Sequence, residues 1–228
     1  MRRELESLIG HLHYACKIAP QGRTFLRRMI NLLCTFRCDD HPIRLNQEFH
    51  LDLTWWCDLF HRWDGLSLFL MPDWAPLPDF QVSSDAAGTL GYGAIFHHQW
   101  FCGPWSASQL PLSIAYKELF SIVVAAYLWG PQWSSRRVEF LCDNEPVVAV
   151  LSSGTSRDPK LMVLMCFLAL LVVRHSFSLR PHLFAVELNL WLILFPILRF
   201  RRFQHLAPQA DLAATPVPPD LLEALLVT

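Results

Sequence analysis

Between Phe80 and Trp105 the sequence spells three short strand patterns in quick succession, Phe80–Asp85, Gly91–Phe96 and Gln99–Trp105. Runs this short, separated by turn residues, predict an antiparallel meander. In the first run Phe80 and Val82 alternate with Gln81 and Ser83 and deliver Asp85 to a turn, where Gly88, Gly91 and Gly93 permit a tight reversal. Downstream, the periodicity predicts a helix over Ser113–Trp129 ended by Gly130-Pro131, a strand Val138–Cys142 and a short helix Glu145–Ser152. Asp158-Pro159 is an N-cap and first-turn pair for a helix reaching Val173, and Phe177–Arg180 reads as a fifth strand. The order βββ-α-β-α-α-β is that of an α/β domain, a mixed sheet flanked by helices.

The segment before this sheet reads as helical. Leu5, Leu8, Ile9, Leu12 and Cys16 recur at helical spacing, Pro20-Gln21-Gly22 breaks the helix, and Thr24 is placed to cap a second one running to about Phe36. Asn46–Trp63 is amphipathic, with Leu51, Trp55, Trp56, Leu59, Phe60 and Trp63 as its apolar face. Met71–Pro78, with three prolines in eight residues, marks a boundary. The expected division is therefore a helical unit over 1–70, a linker over 71–79, a sheet domain over 80–200 and a loose proline-rich tail over 201–228. With 53% hydrophobic residues, nine Trp and sixteen Phe, wholesale disorder is excluded.

Three carboxylates stand out. Asp85 closes a strand beside glycines, and Asp143 follows the strand VEFLC. Glu118 shares its helix stripe with Ile114, Ala115 and Ile122, where an unpaired carboxylate is costly. A metal ion or an arginine would repair that cost, and so would a position at the edge of the stripe, reaching water. Asp143 also suits a helix N-cap, and Asp85 a turn. Jointly, two strand-end aspartates and a helix-face glutamate can meet at one sheet edge. An oxygen-only donor set of that kind suits Mg²⁺ or Mn²⁺.

Other features bound the function. A net charge of −1 provides no global attraction for nucleic acid, so any binding would rest on local clusters: Arg27-Arg28, Arg136-Arg137 and Arg199, Arg201 and Arg202. Seven scattered cysteines with no signal peptide read as reduced thiols in an intracellular protein. Cys34, Cys38 and His41 have partial zinc spacing without a matching second pair. The apolar runs Leu161–Val173 and Leu183–Leu198 fall short of the ~20 residues of a membrane span, and the second contains Glu187, Asn189 and Pro196. No membrane association is expected.

SSDAAGTLGYGA, SIAYKEL and LCDNEPVVAVLSSGTSRDP, in that order, resemble the RNase H domain of DIRS-type retrotransposon polyproteins. ELESLIGHLHYACKIAPQGRTFLRRMINLL and IRLNQEFHLDLTWWCDLFHRWDGLS resemble the thumb and connection segments that precede RNase H in those reverse transcriptases. The likeness spans about residues 4–180, with RFQHLAPQAD and the TPVPP tail. It implies an RNase H-like fold and cleavage of the RNA strand of RNA–DNA hybrids, with Asp85, Glu118 and Asp143 as catalytic, Mg²⁺- or Mn²⁺-binding residues. It further implies the rest of a reverse-transcriptase polyprotein as a partner. The polymerase's paired aspartates are not in this chain, so DNA synthesis by it alone is not implied.

The resemblance lapses over 181–199. The family has a histidine-containing strand, a Pro-Gly turn and N-x-x-A-D-x-L-S-R, whose Asp is the fourth metal ligand. Here the chain reads PHLFAVELNLWLILFPILR, with Ile193 at the Asp position, Asn189 near the expected Asn, and no Asp between Asp158 and Asp211. Glu187 is the one carboxylate of this stretch that could stand in for it. LWLILFP can be encoded so that the neighbouring frame spells V-A-D-P-L-S, which predicts a shifted frame over this stretch. Sequencing the encoding DNA decides it.

Overall fold

The computed structural model describes residues 2–40, 42–62, 77–183, 208–219 and 221. The chain divides into two compact units, Met1–Asp73 with Gly154–Ser156, and Trp74–Ser153 with Arg157–Thr228.

In the first unit, α1 (Arg2–Ala15) is followed by a 3₁₀ segment, Pro20–Leu26, and by α2 (Arg27–Leu33) and α3 (Gln47–Arg62). Thr24 is not a cap: it is buried inside the 3₁₀ segment, and no side chain caps α2. Asn46 caps α3 by accepting the Phe49 amide at 2.9 Å. The expected apolar face of α3 is only partly used. Trp56 is buried and Trp55 stacks on Phe25 at 4.0 Å between ring centroids, whereas Leu51 and Phe60 are exposed. The buried line runs instead through Phe49, Asp52 and Trp56, at helical spacing. Asp52 is tolerated there because both its oxygens accept from Arg28 Nε, at 3.1 and 3.0 Å, and Oδ1 also accepts from Arg28 Nη2. Burial still raises the Asp52 pKa, and the arginine only offsets part of that. Gly22 lets the chain approach this core: a Cβ there would lie within 2.6 Å of the edge of the Trp56 ring. Trp63 and residues 71–76 of the proline-rich stretch lie outside the described residues.

The second unit holds a five-stranded sheet ordered β3-β2-β1-β4-β5. The strands are β1 (Phe80–Ala87), β2 (Gly91–Phe96), β3 (Gln99–Gly103), β4 (Arg137–Cys142) and β5 (Ser178–Leu183). The first three form the expected antiparallel meander, while β1 to β4 and β4 to β5 are parallel. Parallel neighbours need crossovers, supplied by α4 (Ile114–Trp129) between β1–β3 and β4, and by α5 (Glu145–Ser153) with α6 (Pro159–His175) between β4 and β5. Ser113 caps α4 by accepting the Tyr116 amide at 3.2 Å, and Asp158 caps α6 by accepting that of Lys160 at 2.9 Å. This mixed sheet with flanking helices is the RNase H-like α/β architecture that the sequence implies.

Helix α4 is the centre of the unit. Every residue from Tyr116 to Ala126 is buried, because the helix packs on β1 and β2 on one side and α6 on another. A helix apolar nearly all round must be enclosed in this way. Its fully buried Leu119, Phe120, Ile122 and Val123 each contribute about 1.5–3 kcal/mol of apolar burial. The apolar run from Leu161 is α6, a core helix, and no helix among the described residues is long and apolar enough to cross a membrane.

The proline-rich tail, read in the sequence as loose, is tied to the outer edge of β3. Asp211 donates its amide to His98 O and Thr215 to Trp100 O, each at 2.7 Å, and the Trp100 indole donates to Asp211 O at 2.8 Å.

Candidate metal centre

Asp85 lies within β1, opposite Gly93 of β2, and the strand continues to Ala87. It is therefore a strand residue and not a turn former. Ser83 pairs with Leu141 across β1 and β4, and two residues further along each chain come Asp85 and Asp143. Parallel register thus brings both aspartates to one level, just where β4 ends. Asp143 does not cap the following helix. Asn144 does, its Oδ1 accepting the Val147 amide at 3.2 Å.

Glu118 approaches from α4. It is 3% exposed, so it does not reach water from the edge of a stripe. Its Oε1 accepts the Ala86 amide at 3.2 Å, and the same amide donates to Asp85 Oδ1 at 2.7 Å. With both carboxyls ionised, Glu118 Oε2 is buried with no donor. A buried anionic oxygen in that state costs several kilocalories unless a proton or a cation compensates it.

The electrostatics say the same. Burial, then the charges of Asp85 and Asp143, push the Glu118 carboxyl up to about 9, close enough to Asp85 to share a proton with it. Asp85 is raised too, first by burial and then by Asp143, with the Ala86 amide opposing. Two buried carboxyls held above their ordinary range beside the Asp143 carboxyl form a place where a cation lowers the energy of the charged state.

Asp85 and Glu118 are linked through the Ala86 amide they share, and Glu118 and Asp143 lie close together. The group whose donor atoms all lie within 4.8 Å of one another, however, is Glu118, Cys142 and Asp143, with Asp85 outside it. Sequence reading missed Cys142, since neighbours on a regular strand point to opposite faces. Because β4 stops at Cys142 and the chain turns into the Asn144 cap, both side chains reach one space. Cys142 Sγ accepts the Asn144 amide at 3.4 Å, and burial pushes its thiol up to about 12.

Lys117, also unmarked by sequence reading, precedes Glu118 on α4. It is 3% exposed, and its Nζ donates to Gly88 O and, at 2.9 Å, to Leu110 O, with the Trp105 ring 5.6 Å away. It joins the β1–β2 turn to the loop preceding α4. Two of the basic clusters are partly engaged: Arg28 pairs with Asp52, and Arg137 Nε with Asp79 at 3.1 Å. Cys34 and Cys38 are exposed, and His41, Glu187, Asn189, Ile193 and Arg199–Arg202 lie outside the described residues.

No protein-family profile matches the chain, and no curated protein matches it. Among solved structures it is similar to the foamy viral protease-reverse transcriptase dRH in complex with double-stranded DNA, at 11% identity and a TM-score of 0.35. That alignment covers 81% of this chain and 34% of the other, so the chain spans about a third of the viral protein's length.

Proposed function

We propose that the sheet unit is a metal-dependent ribonuclease H domain of a DIRS-type retrotransposon reverse transcriptase, cutting the RNA strand of RNA–DNA hybrids. The observation that carries this reading is the Glu118 carboxyl, buried with one oxygen lacking a donor and flanked by Asp85 and Asp143. Asp85, Glu118 and Asp143 would hold Mg²⁺ or Mn²⁺, whose oxygen preference suits them. Divalent cations in such a site supply an activated water and stabilisation of the leaving oxygen of a phosphodiester. The protein's own part is to hold the three carboxyls together, through the Ala86 amide, the β1–β4 register and the closed packing of α4.

The helical unit is then the thumb and connection segment, a longer polyprotein supplies the polymerase, and seven free cysteines suit a reducing intracellular compartment. A second reading has its own support. With no Asp between Asp158 and Asp211 the fourth carboxylate is missing, which favours a weakened enzyme or a remnant that binds hybrid without cutting it.

The test is hybrid cleavage by the full chain in Mg²⁺ and in Mn²⁺, beside Asp143→Asn. Slow, metal-dependent cutting that Asp143→Asn abolishes supports the nuclease. Hybrid binding with no cutting in either metal supports the remnant. Cutting that survives Asp143→Asn removes this site from the reaction.

A further inference from the structure

The grouping of Cys142 with two carboxyls points beyond a magnesium site. We propose that Glu118, Cys142 and Asp143 form a mixed sulfur–oxygen site for a thiophilic divalent cation, Zn²⁺ or Cd²⁺. It overlaps the carboxylates of the proposed nuclease centre and leaves Asp85 out. The inference does not need the chain to cut RNA.

Two independent observations carry it. The first is geometric: one donor atom from each of the three residues lies within 4.8 Å of the others. A tetrahedral ion at ~2.0–2.3 Å from sulfur and oxygen donors holds them about 3.3–3.6 Å apart. Side-chain rotation of the half-buried Asp143 is the adjustment this asks for. The second is the orphaned oxygen. Glu118 is 3% exposed, its Oε2 has no donor, and no arginine or lysine among the described residues pairs with it.

The donor set then selects the metal. Mg²⁺ requires oxygens and near-octahedral geometry, and sulfur adds nothing to its binding. Zn²⁺ and Cd²⁺ favour thiolate, and three protein donors leave a fourth position for water. On binding, the Cys142 S–H bond and the O–H bond of the Glu118 carboxyl break, S–metal and O–metal bonds form, and both protons leave to solvent. No electron is transferred. Since the ion would take Glu118 and Asp143, it would compete with Mg²⁺ for the same carboxylates, and the chain would be inhibited by Zn²⁺ if it is a nuclease.

The experiment uses the full chain with the exposed Cys34, Cys38 and Cys57 replaced by serine, freed of metal and titrated with Cd²⁺ alone. The readout is the ultraviolet charge-transfer band of a cadmium–thiolate bond. The expected result is a band saturating at one equivalent, absent in Cys142→Ser. Asp143→Asn keeps the thiol but loses a donor, so its affinity should fall at least about tenfold, the lower end of what even an outer-shell partner contributes. A band unchanged in Cys142→Ser overturns the site. Should near-ultraviolet circular dichroism show that Cys142→Ser is misfolded, Asp143→Asn decides, and an unchanged affinity there overturns it. Failure to cleave hybrid would sink the nuclease reading and leave this result standing.

Discussion

The Ala86 amide is shared by two carboxyls, at 2.7 Å from Asp85 Oδ1 and 3.2 Å from Glu118 Oε1. One N–H cannot neutralise two buried anions. A proton or a cation must do the rest, and that imbalance sets the behaviour of the site.

Stability should fall as pH rises. The Glu118 carboxyl is raised from an ordinary 4.5 to about 9, first by burial and then by Asp85 and Asp143. Between those values the folded chain keeps a proton that the unfolded chain has released. The stabilisation is complete below the lower value and is lost through the upper one, with a slope of up to about 1.4 kcal/mol per pH unit. Glu118→Gln cannot titrate and should flatten the slope. Urea unfolding of both proteins in metal-free buffer at about pH 5, 7 and 9 measures it. Parallel slopes would rule out Glu118 as the titrating group.

Asp85→Asn should lose any cutting yet gain stability without metal. The change removes a buried negative charge that faces Asp143, since Glu118 keeps its proton at neutral pH. A gain of about 1 kcal/mol at neutral pH is the expected size for relief of one like-charge pair at partial burial. A loss of that amount in thermal or urea unfolding would mean that the Asp85 carboxylate supports the fold.

The outline of the sheet was legible because its elements are bounded by residues with a local physical meaning. Ser113, Asp158 and Pro159 act at helix starts as their chemistry predicts, and α4 gives way at Gly130-Pro131 to a 3₁₀ turn. Tertiary placement was not. Asp85 looked like a turn residue because nothing in the sequence says that pairing with β2 continues to Ala87 and Gly91. Cys142 was passed over because strand alternation separates it from Asp143, and only the end of β4 reunites them. On α3 the buried face runs through a charged residue, Asp52, and its compensating partner Arg28 lies 24 positions away. Patterns of apolar residues cannot reveal a buried ion pair, so Leu51 is expected on a face it does not occupy, whereas Phe60, though largely exposed, still stacks on Trp56.

In the helical unit, Gly22→Ala should destabilise, and the damage should depend on Trp56. A Cβ at position 22 meets the Trp56 ring, which is 1% exposed and has little room to move. Overpacking of this kind costs about 1–3 kcal/mol. Trp56→Phe removes the obstructing part of the ring, so the alanine should cost markedly less in that background, giving a non-additive cycle. Additive effects in thermal unfolding would show that the two positions do not touch.

The tail should protect an edge. β3 is the outermost strand, and an uncovered edge with Trp100 and Phe101 on it invites pairing with another chain. Residues 211–215 cover it with two amides and receive the Trp100 indole, while Ala210 packs against the ring. The spacing is not that of a regular strand, since four tail residues span the two positions from His98, just before β3, to Trp100. Pro216, Pro218 and Pro219 then follow without amide hydrogens, so the tail itself offers a poor template for further pairing. Amide hydrogen exchange resolves this residue by residue. Asp211 and Thr215 should exchange slowly, whereas the exposed Leu212, Ala213 and Ala214, with no bond to β3, should exchange fast. Removing residues 208–228 should raise the exchange rates along β3 and make the chain self-associate at concentrations where the full chain does not. Random-coil exchange at both Asp211 and Thr215 would refute the strap.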